Sequence, residues 1–98
     1  MIRIVKMTFK EEYCDDFLQH FETIKHKIAA RPGCKSLRLH QDINDPTVFF
    51  TYSDWQADSD LQHYRQSPLF IDTWKKVKMW FSEKAAAWSV DTKFDSTC

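Results

Sequence analysis

The sequence has little glycine and no excess of positive over negative charge. Its 98 residues include one glycine, and 14 basic and 14 acidic side chains give a formal net charge of zero. A single glycine excludes the glycine-rich loops that bind nucleotide phosphates. Because a neutral chain without a basic cluster does not attract a phosphate backbone, we expect no nucleic-acid partner.

Patterns of metal ligands and disulfides are also missing. The three cysteines, Cys14, Cys34 and Cys98, are an odd number without C-x-x-C spacing, and there is no H-E-x-x-H motif. These features argue against a zinc site and against a disulfide framework. We therefore expect no metal site, and a location in the reducing cytoplasm.

Long hydrophobic runs are absent as well. No apolar run approaches the ~20 residues of a membrane-spanning helix. The first six residues lack the apolar core of a signal peptide. We expect neither a membrane contact nor a secretory leader.

Aromatic residues, in contrast, are abundant. They make up 15% of the chain and include eight Phe and four Trp. This is a large apolar load for a single small domain, which buries only about 65% of the surface that its unfolded chain exposes. We expect some of these rings to be covered by a second chain.

Apolar periodicity predicts the first half of the fold. Weak alternation over residues 2–9 predicts a strand with Arg3, Val5, Met7 and Phe9 on one face and Ile2, Ile4 and Thr8 on the other. An apolar stripe with spacings of four, three and four residues predicts a helix over residues 11–30; it consists of Phe17, Phe21, Ile24 and Ile28. Thr8 and Glu11 have the spacing of a capping box at its start.

The chain then turns back on itself. Arg31-Pro32-Gly33 ends the helix, because Pro32 disfavours a helical Arg31 and Gly33 accepts a positive φ. Alternation over residues 34–42 and the apolar run Val48–Trp55 predict two strands. Turn residues between these two strands favour an antiparallel hairpin.

The last third predicts a broken helix and a fourth strand. Ser59 and Gln62 again have capping-box spacing. Ser67 and Pro68 interrupt this helix and start another, as N-cap and first helical residue. Alternation at Trp88, Val90, Thr92 and Phe94 predicts the final strand. We expect one domain over residues 1–94 and a polar tail over residues 95–98.

The order β-α-β-β-α-β is typical of a ferredoxin-like α+β fold, with helices on one face of a four-stranded antiparallel sheet. The second helix is broken at Ser67-Pro68. Helices on one side leave the other sheet face open, and strands 1 and 3 have apolar residues on both faces. We therefore expect a homodimer that packs through these sheet faces.

A set of residues along nearly the whole chain resembles the antibiotic biosynthesis monooxygenase (ABM) domain of the dimeric α+β barrel superfamily. The matching pattern is Arg31-Pro32-Gly33-Cys34, Asp42, Phe50, Trp55, Leu61, Tyr64, Ser67 and Phe70. The resemblance implies a dimeric α+β barrel with a pocket between helices and sheet in each protomer. Some members of this family oxygenate polyphenols with molecular oxygen and without metal or flavin.

The sequence departs from that pattern at the positions of most chemical interest. Many such domains have His where this chain has Tyr64, and His63 lies about 100° away around a helix. Members that degrade haem have a ligating His where this chain has Trp74, and an Asn in the first strand, which is absent here. The resemblance therefore disfavours haem degradation.

Six residues are candidates for the site. We predict Tyr64 and His63 as catalytic residues, through a hydrogen bond to a phenolate or carbonyl and through a base, respectively. We predict Trp55, Tyr52, Phe70 and Trp74 as substrate-binding residues. Ordinary packing is the simpler explanation of Trp55 and Trp74, and a surface position is the simpler explanation of His63. Packing and a hydrogen-bonding role explain Tyr64 equally well. Tyr52 lies in a strand whose register the sequence does not determine, so the face of the sheet on which it lies is not determined either.

Two functions from different classes follow. One is a cofactor-independent monooxygenase that acts on a small aromatic or quinone-type molecule. The other is a non-catalytic dimeric module that binds a small ligand in the same fold. Tyr64 in place of His favours the second, and the density of aromatic residues favours the first.

Overall fold

The computed structural model describes residues 1–96 and contains the predicted order of strands and helices. A short 3-10 turn, Glu11–Tyr13, precedes the first helix. None of the helices described is long and apolar enough to cross a membrane. The elements are β1 (Ile2–Thr8), α1 (Cys14–Ala29), β2 (Cys34–Gln41), β3 (Val48–Trp55), α2 (Asp58–Arg65), α3 (Pro68–Lys78) and β4 (Ala86–Val90).

All neighbouring strands of the four-stranded sheet are antiparallel, in the order β2-β3-β1-β4. The ferredoxin-like prediction is therefore confirmed. The helices pack on one face, where the predicted stripe of α1 meets Met7 and Phe49 from the two central strands and Phe9, which follows β1. Val77 of α3 completes this buried core.

The turn between α1 and β2 has the predicted backbone. Gly33 has a φ of 82°, which side chains with a Cβ rarely adopt. Its carbonyl accepts a hydrogen bond from the Gln56 N–H at 2.7 Å, which joins this turn to the end of β3. A Cβ at position 33 would collide with the side chain of Asp60 in α2.

The two predicted capping boxes are wrong. Thr8 belongs to β1, where its carbonyl accepts a hydrogen bond from the Ser82 N–H at 2.9 Å. Strand pairing therefore holds Thr8 away from the helix, and the residue before the 3-10 turn, Lys10, forms no side-chain cap. Likewise α2 begins at Asp58, so Ser59 lies inside its first turn instead of before it.

The break between α2 and α3 is as predicted. Ser67 is the N-cap of α3, with its Oγ accepting a hydrogen bond from the Phe70 N–H at 3.2 Å. The same hydroxyl donates to the Tyr64 carbonyl at 2.6 Å. One serine thus ties the end of α2 to the start of α3.

The fourth strand is shorter than predicted, because it ends at Val90. Val90 pairs with Ile2, the first residue of β1, so β1 has no further backbone groups to pair with Thr92. Phe94 is 86% exposed. The predicted polar tail includes residues 97 and 98, including Cys98, which lie outside the described residues.

The register divides the sheet into two chemically different faces. Val5, Met7, Thr51 and Ser53 face the helices. The opposite face, here called the open face, consists of cross-strand rows that include Trp88-Ile4-Tyr52-Arg38 and Ala86-Lys6-Phe50-His40. Trp88 is 48% exposed on the open face.

Candidate functional site

A cavity of about 260 Å³ lies between the helices and the sheet. This volume is just below the ~300–1,000 Å³ range of small-molecule sites. Its apolar lining includes Val5, Met7, Phe17, Phe21, Ile24 and Ala85–Ala87. Ala86 and Ala87 of β4, and Ala85 before it, have short side chains that leave room at the edge of the sheet. The cavity is suited to a small, flat, apolar ligand.

A continuous chain of aromatic rings forms one wall. The Trp55 and Tyr64 rings stack with centroids 5.5 Å apart. Tyr64 meets Phe70 edge-on at 5.2 Å, and Phe70 stacks on Trp74 at 5.9 Å. Because Ser67 breaks the helix between Tyr64 and Phe70, rings from two helices reach the same cavity. All four lining residues are among the predicted candidates.

Trp55 contributes apolar surface to the cavity. Its indole Nε1–H donates a hydrogen bond to Ser53 Oγ at 2.9 Å, and that hydroxyl donates in turn to the Arg3 carbonyl at 3.4 Å. The one polar group of Trp55 is therefore satisfied within the protein. With 1% of its surface exposed, Trp55 also packs as part of the core.

Tyr64 supplies a hydrogen-bond donor to the cavity. Among residues 1–96, its carbonyl is bonded to Ser67, but its hydroxyl donates to no protein group. Burial is the main cause that raises the pKa of Tyr64 to about 12, followed by the nearby Cys34 thiol. The hydroxyl therefore stays protonated at neutral pH and can donate to an oxygen atom of a ligand.

Two arginines that were not among the candidates also line the cavity. Arg3 comes from β1 and Arg65 from the last position of α2. The sequence does contain a signal for Arg3, because it shares a strand face with Val5, Met7 and Phe9. An arginine on an otherwise apolar strand face is unusual and calls for a polar partner.

The cavity contains no residue that is a ready base at neutral pH. Of the residues from 1 to 96 that line it, none is Asp, Glu, His, Lys or Cys. No group of three His, Cys, Asp or Glu side chains that could hold a metal ion occurs in the same part of the chain. The polar lining consists of Arg3, Arg65, Tyr64 and small hydroxyl residues.

Two of the six candidates lie away from the cavity. Tyr52 pairs with Ile4 and Arg38 on the open face, and its ring lies 6.4 Å from the His40 ring. His63 is exposed on α2 and does not line the cavity. One position along α2 is enough to rotate His63 away while Tyr64 points inward.

His20 is half-buried, although a surface position is expected from its place beside the apolar stripe of α1. Its ring meets Trp80 edge-on at 6.0 Å, and burial, followed by the charge of Lys76, lowers its pKa. Trp80 follows α3 and covers this side of α1. His26, in contrast, is exposed as expected.

Comparison with known proteins gives a consistent picture. The family model "Antibiotic biosynthesis monooxygenase" matches residues 1–76. No curated protein matches the chain. Many solved structures do.

Three of these solved structures are typical. A protein from Nitrosomonas europaea, named a putative antibiotic biosynthesis monooxygenase, has a TM-score of 0.89 and 17% identity over 98% of this chain and 92% of its own. A protein named antibiotic biosynthesis monooxygenase has a TM-score of 0.86 and 18% identity over 94% and 98%. A conserved protein from Methanosarcina mazei Go1 has a TM-score of 0.82 and 17% identity over 88% and 86%. At such identities these structures show the shared fold alone.

Proposed function

Because the chain belongs to the antibiotic biosynthesis monooxygenase family, we propose that it is a cofactor-independent monooxygenase that acts on a small aromatic or quinone-type molecule. The observation that supports this most is the cavity itself. Aromatic rings wall a space of about 260 Å³, and the Tyr64 hydroxyl is a neutral donor in that wall. Such a site can hold a flat ring system and exclude water from it.

In the proposed reaction the electrons come from the substrate. An electron-rich ring with a CH₂ group loses a proton, and the resulting carbanion, conjugated with a phenolate, reduces molecular oxygen. The carbon exchanges its two hydrogens for one oxygen atom and becomes a carbonyl, while the second oxygen atom leaves as water with the two hydrogens. Four electrons leave the carbon, and four reduce O₂.

The protein contributes position and hydrogen bonding to this reaction. The Tyr64 hydroxyl donates to the phenolate or carbonyl oxygen of the substrate and stabilises the charge that develops there. Trp55, Phe70 and Trp74 orient the ring system and keep the reacting carbon away from water. Because the cavity has no ready base, the substrate ionises in solution before it binds, and the pH dependence of kcat/KM follows the substrate's own pKa.

Oxygen uptake with a panel of hydroxylated anthrones, each of which has a ring CH₂ group, tests the proposal. We expect turnover with at least one member of the panel and a loss of well over tenfold in Tyr64→Phe. Tyr13→Phe is the matched control, because it makes the same chemical change outside the cavity. An unchanged rate in Tyr64→Phe would remove Tyr64 from the mechanism.

A second function has an observation of its own in its favour. Tyr64 stands where many related domains have His, and its pKa of about 12 makes it a poor base. A non-catalytic module that binds small aromatic ligands needs only the cavity and a donor. Saturable ligand binding without oxygen uptake across the panel would favour this module over the enzyme.

We further propose that two copies pack through their open faces to form the dimeric barrel. The exposed Trp88 lies in a row with Ile4 and Tyr52, and a second identical face would cover this apolar surface. We expect a dimer in sedimentation equilibrium at micromolar concentration, weakened by Trp88→Lys. Ile71→Lys, at an exposed apolar residue of α3, is the control. A monomeric wild-type protein would contradict the proposal.

A cytoplasmic location is the last part of the proposal. Cys14 and Cys34 are free thiols, which are typical of a reducing compartment. Burial is the first cause that raises the pKa of each, so neither is an activated nucleophile. Fractionation of cells that make the protein should recover it with cytoplasmic markers, and recovery from an oxidising compartment would contradict this.

A further inference from the structure

Arg3 and Arg65 reach the cavity from two different elements. Arg3 lies on the helix-facing side of β1, and its Nη1 donates a hydrogen bond to Ser89 Oγ at 2.9 Å. Arg65 ends α2, and its Nη1 lies 3.4 Å from Gln62 Oε1, at the weak end of hydrogen bonding. Each guanidinium has five N–H donors. Most of these donors are therefore still available to a ligand.

The charge of the two arginines is not neutralised locally. The ion pairs within residues 1–96 join Met1 to Asp54, Lys25 to Glu22 and Lys35 to Asp54, and none involves Arg3 or Arg65. Burial and then the charge of Arg65 lower the pKa of Arg3, while Asp58 offsets this in part. Arg3 is half-buried and Arg65 is exposed. Their two like charges repel each other at the cavity, which is unfavourable until an anion joins them.

We propose that Arg3 and Arg65 form an anion site in the cavity, and that the ligand is an aromatic molecule with an ionised oxygen group. The ring lies along the wall formed by Tyr64, Phe70 and Trp74, and the guanidinium groups hold the ionised oxygen. Arginine suits this task, because its planar fork of donors matches oxyanions and remains charged at all relevant pH values. The proposal takes the aromatic nature of the ligand from the proposed function but does not require turnover.

Two ligand pairs test the site through quenching of tryptophan fluorescence. The first pair is 2-hydroxy-1,4-naphthoquinone, which is ionised at neutral pH, and the neutral 2-methyl-1,4-naphthoquinone, which has a methyl group at the same position. The second pair, 2-naphthoate and 2-acetylnaphthalene, tests a carboxylate in place of an ionised hydroxyl. We expect the anion of at least one pair to bind roughly tenfold more tightly than its neutral partner, or better, and the pair that shows this preference identifies the group.

Variants assign the preference to the two arginines. Arg3→Gln and Arg65→Gln should each weaken anion binding by roughly tenfold and leave binding of the neutral ligand unchanged. Lys75→Gln removes the same charge from α3 outside the cavity and should leave both affinities unchanged. Arg3→Lys keeps the charge but not the fork, and should give an intermediate affinity for the anion. Circular dichroism of each variant checks that it folds.

Equal affinities within both ligand pairs would overturn the anion site. So would an equal loss for anion and neutral ligand in the arginine variants. Oxygen uptake measured on the same samples separates this proposal from the proposed function. If the preference for the anion depends on the arginines but no oxygen is taken up, the anion site is supported and the monooxygenase is contradicted. If a neutral substrate is turned over and the arginine variants do not affect its rate, only the anion site is contradicted.

Discussion

Replacement of Gly33 by alanine tests how the turn after α1 holds the site together. Gly33 has a φ of 82°, and a Cβ there would lie 2.6 Å from the Asp60 Cβ and closer still to its carboxylate. The positive φ costs a residue with a Cβ about 1–2 kcal/mol. Overpacking against Asp60 adds about 1–3 kcal/mol. We therefore expect Gly33→Ala to lower the free energy of unfolding by about 2–5 kcal/mol.

The same substitution should disturb the cavity, because Asp60 and Tyr64 belong to one helix. If α2 moves to relieve the collision, the Tyr64 ring moves with it away from Trp55. Urea unfolding monitored by tryptophan fluorescence gives the stability, and ligand titration gives the effect on the cavity. Ligand affinity should fall in the folded Gly33→Ala variant at denaturant concentrations where the protein remains native.

A double-mutant cycle with Asp60→Gly separates the two contributions. In the Asp60→Gly background the collision is gone, so Gly33→Ala should cost only the ~1–2 kcal/mol of the positive φ. A cost below ~0.5 kcal/mol in the wild-type background would refute the reasoning. An equal cost in both backgrounds would refute the contact with Asp60.

Three further predictions concern the same region. Ser67→Ala should lower the free energy of unfolding by about 1 kcal/mol in urea denaturation, because it removes the N-cap of α3. Ser59→Ala is the control and should have no effect, because Ser59 has no capping role. Equal losses in the two variants would contradict the assignment of the cap. Below pH 10 both the folded and the unfolded state keep the Tyr64 proton, but between pH 10 and about 12 the unfolded state loses it first. Stability should therefore fall by about 2 kcal/mol more in the wild type than in Tyr64→Phe over this range, and parallel pH curves would contradict the burial of Tyr64. Ala87→Phe should weaken ligand binding more than tenfold, because Ala87 lines the cavity. It should change the free energy of unfolding by no more than about 0.5 kcal/mol, because Ala87 is exposed. Unchanged affinity in ligand titrations would place the ligand elsewhere.

The sequence was sufficient for the main features of the fold, because several local signals agreed. The stripe of α1, the positive φ of Gly33 and the cap at Ser67 each follow from a backbone or periodicity rule that tertiary contacts did not override. The capping box at Thr8 failed for the opposite reason. Strand pairing with Val48 and a hydrogen bond from Ser82, 74 residues away, keep Thr8 in β1, and residue spacing contains no information about these contacts.

The candidate site was only partly accessible from the sequence. Helical spacing and the family resemblance pointed to Tyr64, Phe70 and Trp74, and all three line the cavity. Tyr52 could not be assigned to a face, since a shift of one residue in register exchanges the two sides of a strand. The strand pattern placed Arg3 on the apolar face of β1. That Arg3 and Arg65 line the same cavity depends on how α2 packs on the sheet.

The central claim is that this cavity oxygenates an aromatic substrate without a cofactor. Isotope labelling tests this claim most directly. The purified protein is treated with a chelator and supplied with the substrate from the uptake panel under oxygen-18 gas, and the product is analysed by mass spectrometry. We expect one labelled oxygen atom in each product molecule, and a yield that falls more than tenfold in Tyr64→Phe but not in Tyr13→Phe. A product without the label, or a reaction that stops when bound metal is removed, would contradict the claim.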